Sequence, residues 1–105
     1  MKVIVIRPYQ QPKVEEIDNT LKAMQETVSG YIEAIYPWED EIALICNEEG
    51  KINGLPLNRI LTNEDGAIVD YIAGTFFICG APMESENFES IPEELIEKYT
   101  KIFEY

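Results

Sequence analysis

The run Lys2-Val-Ile-Val-Ile6 constrains this chain more than any other stretch. β-Branched side chains lose rotamer freedom in a helix and pack well on a pleated surface, so four in a row read as a strand. The apolar character does not alternate, which marks a strand buried on both faces. A fold containing such a strand is a sheet with other elements packed on it.

The remaining elements follow from local signals. Pro8 and Pro12 bracket a turn around Tyr9, Gln10 and Gln11, after which Lys13 to Ile17 pairs back as a hairpin or bridge. Asp18-Asn19-Thr20 offers N-caps for a helix over about residues 20–29, with Leu21, Met24 and Val28 on its apolar face. Gly30 stands where a left-handed C-terminal cap is wanted. Tyr31 to Trp38 and Ile42 to Cys46 read as an antiparallel hairpin across the acidic turn Glu39-Asp40-Glu41. Glu48-Glu49-Gly50-Lys51 reads as a turn, with Gly50 free to take a positive φ. Pro56 limits regular structure, so Asn53 to Arg59 is expected as loop or a single helical turn.

Asp65-Gly66 is a hairpin signal, and Ala67–Tyr71 with Thr75–Cys79 reads as a last strand or strand pair broken at Ala73-Gly74. Ser90-Ile-Pro-Glu93 has capping-box spacing with proline in the first turn. The helix after it aligns Leu95, Ile96, Tyr99, Ile102 and Phe103 on one stripe and leaves an acidic face. The 105 residues predict one α+β domain, a mainly antiparallel sheet of four to six strands with two helices packed on it.

Charge bounds the function. The chain carries −12 net, and residues 31–49 hold six carboxylates without a Lys or Arg. Such a surface repels nucleic acid and anionic membranes and favours basic partners, including the DNA-binding surfaces of other proteins. The plainer reading is solubility alone. Cys46 and Cys79 lie in apolar runs without CxxC spacing and there is no His, which leaves two reduced core thiols and no zinc or redox motif. The N-terminal apolar run is too short for a signal peptide or span, so a cytoplasmic location is expected.

The same absences argue against an enzyme, a metal or a cofactor. No His, nucleophile elbow, P-loop or dinucleotide fingerprint is present, and Asn63-Glu64-Asp65-Gly66 lacks the spaced ligands of a calcium loop. Two kinds of candidate surface remain. Glu33, Trp38, Glu39, Asp40, Glu41, Glu48 and Glu49 form an acidic partner-binding set, with Trp38 as its anchor, and residues 84–97 offer a second acidic docking face. The polar loop Asn47–Arg59 offers an anion or nucleotide site in which Lys51 and Arg59 hold charge, Asn47 and Asn58 donate amides, and Tyr31 stacks. The competing reading of that loop is internal: asparagines in Asx turns, and cations paired with Glu48, Glu49 or Asp70.

Met1-Lys-Val-Ile-Val-Ile-Arg-Pro8, Glu16-Ile-Asp-Asn-Thr-Leu21, Gly30-Tyr-Ile-Glu33, Asn47-Glu-Glu-Gly-Lys51, Gly54-Leu-Pro-Leu-Asn-Arg59 and Asp70-Tyr-Ile-Ala-Gly-Thr75 together resemble a small family of phages, integrative mobile elements and gut Firmicutes, known as a domain of unknown function. The resemblance spans nearly the whole chain and transfers no catalytic residue. It implies a non-enzymatic accessory protein that binds a host protein with a basic surface, an anti-defence inhibitor using nucleic-acid mimicry inside the host cell. The alternative is a small-molecule binder that sequesters a nucleotide-like signal in the Asn47–Arg59 loop.

Overall fold

The computed structural model describes residues 1–105 and contains nine elements. They are β1 (Lys2–Ile6), β2 (Lys13–Glu16), α1 (Leu21–Val28), β3 (Ile32–Ile35), β4 (Ile42–Asn47), β5 (Leu57–Thr62), β6 (Ile68–Ala73), β7 (Phe76–Gly80) and α2 (Glu93–Ile102). Five strands form one antiparallel sheet in the order β2-β1-β7-β4-β3, and β5 with β6 forms a separate two-stranded ribbon. The architecture is α+β, and no helix is long and apolar enough to cross a membrane.

The apolar runs are the middle of the sheet. Val3, Val5, Ala43, Ile45, Phe77 and Cys79 pack with Met24 and Val28 of α1 on one face. Ile4, Ile6, Leu44, Cys46, Phe76 and Ile78 pack on the other with Trp38, Tyr99 and Phe103, together with Leu61 and Ile72 of the ribbon. Val3 to Ile6 are all fully buried, as an unbroken β-branched run demands. Each such side chain contributes roughly 1.5–3 kcal/mol on burial. Phe77→Ala, which empties the α1 face beside Val3 and Val5, is expected to cost about 3–5 kcal/mol.

Four local expectations are corrected. The left-handed cap of α1 is Ser29 (φ 64°, ψ 37°), not Gly30. Gly30 is glycine because a Cβ there would meet Asn47 Nδ2 at 2.6 Å. Gly50 does not hold a positive φ; a Cβ on it would lie 2.6 Å from the Ala73 carbonyl oxygen, so close backbone approach explains it. Ser90 caps no helix: its Oγ accepts the Lys2 N–H at 2.8 Å, and α2 begins after Pro92 without a side-chain cap.

The fourth correction shapes the site. Residues 57–59 are not loop, because β5 starts directly after Pro56 and runs to Thr62. Its partner β6 ends at Ala73, and Gly74 (φ 84°) turns the chain out of the ribbon into β7 of the main sheet. Ala73-Gly74 is therefore a corner between two sheets rather than a bulge within one strand. The Asp65-Gly66 turn joins β5 to β6, with Gly66 at φ 80°.

Candidate functional site

Pairing of β4 with β7 sets Ile42 opposite Gly80, which brings the turn before β4 against the loop after β7. The Ala81 N–H donates to the Glu41 carbonyl and the Met83 N–H to Glu41 Oε1, both at 2.8 Å. Between them lies a hollow of about 400 Å³. Glu39, Asp40, Glu41 and Glu86 line it without a Lys or Arg, and Tyr36, Met83 and Phe88 add apolar surface. Tyr36 and Met83 are largely exposed. The Glu39 N–H donates to Glu64 Oε1 at 2.8 Å, which adds a further carboxylate beside the turn. Two acidic segments far apart in sequence thus meet in one groove.

The carboxylates of this groove are not equivalent. Asp40 accepts Lys98 Nζ at 2.7 Å and the Tyr99 hydroxyl at 2.6 Å. The Lys98 hydrogen bond, then that from Tyr99, hold its carboxyl below the usual carboxylate range. Burial, and then Asp40 itself, push the Tyr99 phenol up. Asp40 is a structural anion that fastens the turn to α2, whereas the side chains of Glu39 and Glu86 accept no hydrogen bond within the protein. Trp38 is spent on the core. Its Nε1 donates to the Thr62 carbonyl at 3.1 Å, and its ring lies 4.9 Å from Tyr99 and 5.9 Å from Phe103. Only 8% of it is exposed, so it borders the groove without being the free anchor expected of it.

The remaining acidic candidates lie elsewhere. Glu33 of β3 and Glu48 line a second cleft of about 290 Å³ with Cys46, Lys51 and Asp70. Cys46 Sγ donates to Glu33 Oε1 at 3.8 Å. Burial, then the Glu33 charge, push this thiol up to about 12. A thiol so placed is no nucleophile at neutral pH. Glu49 is exposed and sits with Tyr31, Asn47 and Asn53 near the end of α1.

The polar loop is bound up internally. Asn47 Nδ2 donates to the Val28 and Ser29 carbonyls at 3.1 and 3.2 Å, closing the end of α1, while its Oδ1 accepts the Glu49 N–H. Asn58 Nδ2 bridges the Ile6 and Gly74 carbonyls at 2.8 and 2.9 Å, stitching the ribbon to β1. Lys51 pairs with Asp70 at 2.5 Å, the internal partner anticipated for it. Arg59 donates to the carbonyls of Phe103 (3.1 Å), Gln10 (2.6 Å) and Asn58 (3.2 Å), with no carboxylate partner. Its guanidinium lies 5.3 Å from the Tyr105 ring centroid. Lys51 and Arg59 share no partner and no cleft, so the paired-cation anion site drawn from their proximity in sequence is not assembled.

Met83 and Phe88 were not singled out from the sequence, because only the β4–β7 register places the 81–88 loop beside residues 36–42. No group of three His, Cys, Asp or Glu side chains is arranged to hold a metal ion. No curated protein and no solved structure matches this chain. Residues 1–104 match the family described as "Domain of unknown function (DUF3846)", and the chain belongs to that family.

Proposed function

We propose that this chain is a non-enzymatic protein-binding module whose acidic groove between residues 36–42 and 81–88 docks on a basic surface of another protein. The observation that carries the reading is the Glu41 clasp on the 81–88 loop, which gathers Glu39, Glu41 and Glu86 around exposed Tyr36 and Met83. Carboxylates beside apolar side chains suit a surface that presents Lys or Arg on an apolar body. Field lines from a −12 chain would speed encounter with such a partner and make it salt-sensitive.

In the phage and mobile-element setting implied by the family resemblance, the partner is a host protein, and the groove occupies its nucleic-acid-binding surface to disable a defence system in the cytoplasm. Affinity capture from a bacterial lysate identifies the partner, and titration of that partner at low and high salt tests the mechanism. Binding should weaken about tenfold or more as salt screens the charges, and Glu39→Lys with Glu86→Lys should weaken it further. Affinity indifferent to both salt and these substitutions would sink the reading.

The second reading, a protein that sequesters a nucleotide-like small molecule, retains one supporting feature: the cleft of about 290 Å³ in which Lys51 stands beside Tyr71. A nucleotide that raises the melting temperature of the wild type but not of Lys51→Ala would favour it.

A further inference from the structure

The geometry points to the outer face of the β5–β6 ribbon as a surface through which two copies of this chain associate. The ribbon turns Leu61 and Ile72 into the core, and its other face has no cover. Leu57, Ile60, Ile68, Val69 and Tyr71 are 58, 56, 70, 50 and 46% exposed, and Ile60 lies directly opposite Tyr71 in the strand register. These side chains surround a shallow hollow of about 480 Å³. Single exposed apolar residues are ordinary, but a contiguous set on one sheet face marks an interaction surface.

Charge selects the occupant. The only charged residue lining the hollow is Asp70, and it is held by Lys51 at 2.5 Å, with the ammonium 4.3 Å from the Tyr71 ring centroid. The face is therefore locally neutral on a chain of −12. A basic partner is drawn to the carboxylate-lined groove, where unpaired negative charge resides. A second copy has the opposite need, because two −12 chains repel least through a face that carries no uncompensated charge, and this face meets that condition on both sides. Shape agrees. Ile52, 84% exposed, borders Asp70 and Tyr71 in the adjoining cleft, so a knob stands beside the hollow. A two-fold axis on the face carries each copy's knob toward the other's hollow, the self-complementarity that an isologous interface requires.

Sedimentation equilibrium from micromolar to millimolar protein, at low and high salt, tests this. The wild type should dimerise, and more tightly at high salt, because screening relieves the repulsion between copies; the acidic groove has the reverse salt dependence. Ile60→Lys and Ile68→Lys should each weaken the dimer by about tenfold or more while circular dichroism shows the fold retained. Both also lower the net negative charge, so a purely electrostatic account predicts tightening instead. A wild type that stays monomeric throughout, or a dimer indifferent to both substitutions, overturns the assignment. So does a monomer whose ribbon binds an unrelated apolar peptide.

Discussion

The Asp40 carboxylate accepts the hydroxyl of Tyr99 at 2.6 Å, joining an exposed acidic turn to a fully buried residue of α2. Lys98, one residue earlier on the same helix, completes the clamp at 2.7 Å. Asp40→Asn keeps the shape but removes the charge that strengthens both bonds. We expect a loss of about 1–3 kcal/mol in urea unfolding at neutral pH.

That loss has a defined pH dependence. The folded carboxyl of Asp40 titrates below its unfolded value, so its contribution is fully present above the ordinary carboxylate pKa. It disappears as pH falls through the lower folded value. The stability gap between wild type and Asp40→Asn should therefore be constant near neutrality and close below about pH 4. A gap that persisted in acid would remove the electrostatic account of the clamp.

Thiol chemistry offers a second check. Burial leads in pushing both Cys46 and Cys79 up to about 12. An aromatic disulfide reagent at pH 8 should label neither thiol in the native protein and both in urea. Rapid native labelling of Cys46 would mean that the cleft beside Glu33 opens to admit the reagent.

Arg59→Lys is not a conservative change in this chain. A lysine cannot reproduce the fork that reaches the Phe103, Gln10 and Asn58 carbonyls together. The expected cost is about 1–3 kcal/mol, with faster amide exchange around residues 101–105. Unchanged exchange there would show that the fork does not hold this segment.

Two glycines separate space from backbone strain. A Cβ on Gly80 would collide with the Ser90 carbonyl oxygen, whereas Gly54 (φ 68°) has nothing within 4 Å of the same position. Gly80→Ala should cost about 1–3 kcal/mol by forcing residues 89 and 90 away from the end of β7, where Gly80 and Glu89 bridge. Gly54→Ala should cost about 1 kcal/mol, from strain alone. Thermal unfolding of the two variants should rank them in that order.

Where one interaction dominated, the sequence was readable. Val3 to Ile6 had no polar residue to place toward water, and Thr20 accepts the Ala23 N–H as an N-cap should. β5 was hidden because Asn58 and Arg59 look like loop residues beside Pro56. They serve instead as connectors, donating to carbonyls of β1 and of the C-terminal turn. The assignment of β6 and β7 to different sheets depends on a corner at Gly74 whose direction no local pattern specifies. The same limit hid the groove. Glu41 was visible as a charge, but its hold on the Met83 N–H follows from strand register, a property of the assembled sheet.

The position of β7 bears on how the chain reaches this state. β7 lies between β1 and β4 and pairs with both, Ile78 facing Ile4 on one side and Leu44 on the other. The hairpins β1–β2 and β3–β4 are made before the strand that joins them, because β7 follows the whole β5–β6 ribbon in the chain. Until Phe76 to Gly80 leave the ribosome, β1 and β4 each present an apolar, unpaired edge, a hazard for clumping with other nascent chains. A message broken before that point would specify three unjoined hairpins, β1–β2, β3–β4 and β5–β6, fit for proteolysis and not for binding.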